Sequence, residues 1–196
     1  LTHARERAMQ RRTAIFNQLQ DLVYVIFPEF SQVFKNVKTR SAIFILENCP
    51  TPEDIIKYKL KNMATTLRKV SRGKLGEERA RELYAAAKAS VGIREGRQSI
   101  LFEIKEILSI IETTEHFVAE LENEISHHLK KITYSRFILS IKGVGDITAA
   151  GLIGEVGDFR EYNTISEMLK FSGLDLFEIS SGRHKGQRRI SKRGRP

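Results

Sequence analysis

Two adjacent serines and a run of cations are the side chains in this sequence best equipped for chemistry on a phosphate. Ser180 and Ser181 stand before Gly182, and Arg183, Lys185, Arg188, Arg189, Lys192 and Arg193 follow. A serine that attacks a phosphodiester needs a lowered hydroxyl pKa and a scissile phosphate held by cations. Nearby guanidinium groups serve both needs. The same residues also have a plainer reading, because Ser-Gly is a common turn dipeptide.

A second candidate lies earlier. Leu139, Ile141, Gly143, Val144, Gly145, Thr148, Ala149 and Ala150 resemble the helix-hairpin-helix pattern. Gly143 and Gly145 permit a tight turn without a Cβ penalty. Bare backbone N–H groups at a helix N-terminus form an anion site. Ala149, Ala150 and Gly151 allow two helices to pack closely. Together these features suit contact with nucleic-acid phosphates irrespective of base sequence. The alternative is a glycine-rich turn between helices with no ligand.

Charge supports a nucleic-acid partner. The chain has 196 residues and a net charge of +9. The segment Arg183 to Pro196 holds seven Lys or Arg and no acid, which leaves only +2 for everything before it. A focused cationic run makes a phosphate-binding surface or a solvated tail. Cys49 is the only cysteine, so no internal disulfide forms, and a reducing compartment, the cytoplasm, is expected. No Cys/His cluster has zinc spacing. His127 and His128 are neighbours on a helix, point in different directions and read as surface residues. No signal peptide is visible at Leu1, and no apolar run reaches the length of a membrane span.

The elements that position these groups read as helices. One is expected near Thr2 to Ile26, with Ile15, Leu19, Leu22, Val23 and Ile26 on one stripe and Pro28 as its stop. Its arginines, Arg5, Arg7, Arg11 and Arg12, suit nucleic acid or a solvated face. A short helix near Ser41 to Asn48 is broken by Pro50. Thr51 then caps a new start, with Pro52 in the first helical position. Ser71-Arg72-Gly73 and Gly76 mark a loop, and Glu77 to Ser90 is a helix ended by Gly92. A further helix runs from Ile165 to Phe171, with Gly173 at its cap.

The longest element is expected from about Arg97 to Ile132, a span of roughly 50 Å. Ile104, Leu108, Ile111, Val118, Ile125, Leu129 and Ile132 follow alternating spacings of three and four, with Glu115 and Glu122 in two apolar positions. This pattern suits a coiled coil that joins two copies. The alternative is an amphipathic helix packed within its own chain, but the length and regular heptad spacing favour a homo-oligomer through this helix. No strand alternation stands out. The fold class is therefore all-α. A helical linker occupies 1–132, coiled-coil-like over about 97–132, and a small helix-hairpin-helix-type C-terminal domain occupies 133–196.

The order of the separated motifs adds a family resemblance. Ile141-Lys142-Gly143-Val144-Gly145, Thr148-Ala149-Ala150, Gly157-Asp158-Phe159, Phe171-Ser172-Gly173-Leu174, Ser181-Gly182, Gly186 and Ile190 to Gly194 together resemble the C-terminal domain of the insertion-sequence-110 (116/902) transposase family. Upstream, Arg5 to Pro28 resembles that family's arginine-rich helix. The resemblance implies a DNA recombinase that moves an insertion sequence. It implies a bridge RNA that specifies the DNA partners, and divalent metal bound by four acids in an N-terminal RuvC-like domain. It places the serine nucleophile at Ser181, with Ser180 in the competing register. No segment here looks like the acidic domain, and the Leu-Arg-rich helix usual after this point is not seen. The expectation is an excised fragment that holds no cofactor and does not recombine DNA alone.

Overall fold

The computed structural model describes residues 1–178 and 188–190. Its elements are α1 (Thr2–Ile26), α2 (Phe30–Val33), α3 (Arg40–Asn48), α4 (Pro52–Lys57), α5 (Leu60–Val70), α6 (Glu77–Ala89), α7 (Arg97–Lys130), α8 (Ser135–Leu139), α9 (Asp146–Val156), a 3-10 turn (Phe159–Glu161), α10 (Ile165–Phe171), β1 (Leu176–Glu178) and β2 (Arg188–Ile190). The all-α class holds. The one addition is a short antiparallel ladder, with Leu176 opposite Ile190 and Glu178 opposite Arg188. Two compact units are present. One is Arg5–Ala119. The other combines Leu1–Ala4 with the chain from Glu120 onward. The boundaries fall inside α1 and α7.

The Arg5–Ala119 unit is built around aromatic and aliphatic burial. Phe16, Leu19, Val23 and Ile26 form the buried face of α1, while Ile15 and Leu22 flank it half-buried. Pro28 has no N–H to continue the helix. The chain turns there, and Phe27, Phe30 and Phe34 pack on one another at ring distances of 5.7 and 5.0 Å. Each such ring, fully buried, contributes roughly 1.5–3 kcal/mol. α6 packs against α2, α4 and α5, and α3 packs against α5.

Local chemistry sets the helix ends. Thr39 caps α3 by accepting from the Ala42 N–H at 3.3 Å. Thr51 and Asp54 form a capping box: the Thr51 hydroxyl accepts from the Asp54 N–H at 3.2 Å, and the Asp54 carboxylate accepts from the Thr51 N–H at 3.3 Å. Lys59, at φ 61°, separates α4 from α5.

α7 runs unbroken for 34 residues. The stripe offered to a second copy is buried in the single chain: Ile104, Leu108 and Ile111 belong to the core of the Arg5–Ala119 unit. The own-chain amphipathic helix therefore describes this part of α7. Glu115 breaks the stripe for a reason: its carboxylate receives Arg12 Nη2 at 2.5 Å and Nε at 3.1 Å. Arg12 also lies over the Phe16 ring at 4.9 Å, so it is held within its own unit. Cys49 is buried, and its thiol is pushed up to about 11 by burial and by the nearby Asp54 charge.

α6 ends at Ala89, before Gly92. The segment after it meets the open end of α1. The Ile93 N–H donates to the Val25 carbonyl at 3.2 Å, satisfying one of the last carbonyls of α1. A Cβ on Gly92 would collide with the Ile26 carbonyl. Gly92→Ala should therefore destabilise this unit by about 1–3 kcal/mol or more. Urea denaturation of the two proteins measures the difference; equal midpoints would refute the close approach.

Candidate nucleic-acid interface

α8 and α9 pack against each other and are joined by Ser140 to Gly145. The Ile141 carbonyl accepts from the Val144 N–H at 3.0 Å, closing a four-residue turn. Gly143 is its third residue, at φ 90°. That conformation costs an L side chain roughly 1–2 kcal/mol, so the turn itself requires glycine here. Gly145 differs. Its φ is −100°, a Cβ there would meet nothing within 4 Å, and it is the N-cap of α9. Neither strain nor packing demands glycine at this position.

Without a side chain, Gly145 leaves the first-turn N–H groups of α9 uncapped by its own residue. Those groups carry the positive end of the helix dipole. Exposed Lys142 stands three residues before Gly145 in the same connection. Asp146, in the first turn, offsets part of that potential, and its carboxylate accepts from the Ser126 hydroxyl at 2.5 Å. Ala149 is fully buried, whereas a Cβ on Gly151 would meet open space, so close helix packing does not account for Gly151.

An aromatic bracket holds the far end of α9. Tyr134 meets Phe159 edge-on at 5.6 Å, and Tyr162 meets Phe171 at 5.8 Å. The Tyr162 hydroxyl donates to the Val156 carbonyl at 2.9 Å. Asp158 caps the 3-10 turn by accepting from the Arg160 N–H at 3.0 Å. It also takes the Arg160 guanidinium, Nε at 3.0 Å and Nη2 at 2.6 Å. These guanidinium bonds lower the Asp158 carboxyl to about 2. α10 ends in a Schellman arrangement: the N–H of Gly173, at φ 72°, donates to the Lys170 carbonyl, and the Leu174 N–H to the Leu169 carbonyl.

Residues 135–196, which hold this whole arrangement from α8 onward, match the family model described as "Transposase IS116/IS110/IS902 family". A probable family 20 transposase of Pseudomonas aeruginosa is 29% identical over 91 residues, 46% of this chain and 27% of that protein. The insertion element IS116 uncharacterized 44.8 kDa protein of Streptomyces clavuligerus is 22% identical over 193 residues, 95% of this chain and 46% of that protein. The stretch 135–196 is similar to the IS116/IS110/IS902 transposase family. The chain spans less than half the length of either relative. No solved structure matches it significantly.

The expected site residues fall into three groups. Gly143 and Gly145 stand together on the turn before α9. Arg188 and Arg189 begin β2. Ser180, Ser181, Arg183, Lys185, Lys192 and Arg193 lie outside the described residues. Sequence reading passed over the Asp158–Arg160 pair; an Asp directly after a glycine and two residues before an arginine was its signal. Among the described residues no three His, Cys, Asp or Glu stand close enough to hold a metal ion. Asp158 is engaged with Arg160, and Asp146 with Ser126. No described helix is long and apolar enough to cross a membrane.

The depressed Asp158 carboxyl has a pH consequence. Its folded value lies below the ordinary 3.8, so the pair stabilises the fold above 3.8 and loses that contribution as pH falls toward about 2. A carboxyl-carbon NMR titration should show Asp158 returning toward 3.8 in Arg160→Ala. An unchanged midpoint would assign the shift elsewhere.

Proposed function

We propose that this chain is the DNA-contacting portion of a transposase that recombines an insertion sequence. The turn at Gly143 and Gly145, with the α9 N-terminus, takes the sugar–phosphate backbone. The cations of the C-terminal segment, Arg183 to Arg193, take further phosphates. Ser181 supplies the nucleophile, with Ser180 as the competing position. In that step a serine Oγ–P bond forms and a strand P–O bond breaks, freeing a sugar hydroxyl that takes up the proton. A guide RNA that selects the DNA, and divalent metal on acids outside this chain, complete the reading by family resemblance.

The observation that carries the reading is the family match over 135–196, the stretch that contains the turn, the cationic run and both serines. Gly145 supports the phosphate contact: the fold has no need of glycine there, whereas a phosphate approaching the bare N–H groups does. Self-association would use the other side of α7, where Phe102, Ile110 and Phe117 are exposed, because the expected seam is buried. The competing reading is a nucleic-acid-binding module with no chemistry, in which Ser181 is a turn residue.

Two experiments separate these. In the full-length parent, with its RNA and DNA substrates, Ser181→Ala should abolish recombination and any covalent protein–DNA adduct, leaving DNA binding intact. Full activity in Ser181→Ala would remove it from the chemistry and favour the binding module. In the chain itself, Gly145→Ser installs a better N-cap, so thermal stability should hold or rise by up to ~1 kcal/mol. Its hydroxyl would occupy the N–H groups and crowd the phosphate, so duplex affinity should fall ~5-fold or more, about the value of one such contact. Unaltered affinity would refute phosphate binding at this turn.

A further inference from the structure

The Arg5–Ala119 unit contains a cleft that the reading above does not use. It opens between the end of α2, the start of α3, the end of α5 and the loop into α6, and it encloses about 600 Å³. That is the size of a small-ligand site. Its rim carries Lys35, Arg40, Arg72, Lys74 and Arg79, and no acid lines it. Arg79 is occupied, donating to the Val33 carbonyl at 2.9 Å and to Glu82 at 2.7 Å. The other four are exposed, and among the described residues none makes an ion pair. Four uncompensated cations around one concavity repel each other, and an anionic ligand relieves that cost.

The loop that bears two of them is built. The Ser71 hydroxyl accepts from the Leu75 N–H at 2.7 Å, and the Gly73 N–H donates to the Arg68 carbonyl at 2.7 Å. Arg72 is held at φ 55°, a left-handed conformation that non-glycine residues rarely adopt. Strain of this kind persists where surrounding structure imposes it, and it clusters at ligand sites.

The walls narrow the choice of ligand. Val33 and Phe34 lie buried at the back, and Val70 and Leu75 stand half-buried at the mouth. A peptide of Asp and Glu alone would satisfy the rim but bring no flat apolar body for these walls. A duplex keeps its bases stacked inside and offers only phosphates. An unpaired strand offers both, an apolar base face and flanking phosphates. We propose that this cleft binds single-stranded nucleic acid, with one unpaired base between Val70 and Leu75 and the adjacent phosphates on Lys35, Arg40, Arg72 and Lys74. The inference stands apart from the contact at Gly145.

The test uses the whole chain and fluorescence anisotropy with a short oligothymidylate, the matching oligouridylate and a duplex of equal length. Lys35→Glu/Arg72→Glu/Lys74→Glu should weaken both single strands by ~10-fold or more and flatten their salt slope by about 2, the value for three lost phosphate contacts. Duplex affinity should change by less than about a third as much on the logarithmic scale. Val70→Phe keeps every charge and fills the cleft; it should also weaken the single strands and spare the duplex. Circular dichroism melts confirm that each variant folds. Tighter binding of either single strand than of the duplex supports the proposal. Equal losses for single strand and duplex, no loss in either variant, or displacement by polyglutamate as effective as by oligothymidylate would overturn the proposal. Gly145→Ser run alongside keeps the two sites distinct: loss of duplex binding there says nothing for or against the cleft.

Discussion

The apolar stripe of α7 has to be covered, and much of the structure depends on how. A helix of this length draws its stability from tertiary packing more than from propensity. Ile104, Ile107, Leu108 and Ile111 supply it by joining the aromatic core of the Arg5–Ala119 unit. A stripe buried once has no surface left to bury against a second copy. The same packing makes sense of Glu115, which meets Arg12 where an apolar residue would otherwise sit. One member of the arginine cluster on α1 is thereby a structural residue, and the cluster divides into residues with different duties.

The turn before α9 depends on a different constraint. Gly143 is fixed by backbone conformation, and its neighbour Gly145 by nothing in the fold. Two glycines of one motif thus have different physical reasons. The Asp158–Arg160 pair and the aromatic bracket hold the far end of the same helix, so the turn is supported from behind by groups that are themselves committed. Conversely, among the described residues four of the five cleft cations carry no such commitment; only Arg79 is engaged.

Much of this was legible in the sequence where the signals are local. Pro28, Thr51 with Pro52, and Gly173 act on their own neighbours, and the helix ends fall where they direct. Gly92 was read as a helix stop, but its role is long-range: its missing Cβ lets the chain pass the Ile26 carbonyl. The break between α4 and α5 falls at Lys59, a residue with no turn signature, so tertiary packing imposes it. Strands of three residues are too short to show alternation, which hid β1 and β2. For α7, a helix seam between two copies and one within a chain have the same period, so spacing alone could not separate them. In the site, residue type marked Gly143 and Gly145 but did not say which glycine the turn needs. The cleft was not legible at all, because its cations come from three separate stretches that only the fold brings together.

Cys49 has a practical consequence. The chain's single thiol is buried and holds its proton well above neutral pH. Within this chain that thiol is therefore slow toward maleimides and disulfide-exchange reagents at neutral pH. A cysteine introduced at any exposed position would be the one thiol that reacts quickly, with no need to remove the native one. The molecule offers a ready background for tethering a thiol-bearing oligonucleotide or a spin label at a chosen point, so that proximity to nucleic acid becomes a covalent record.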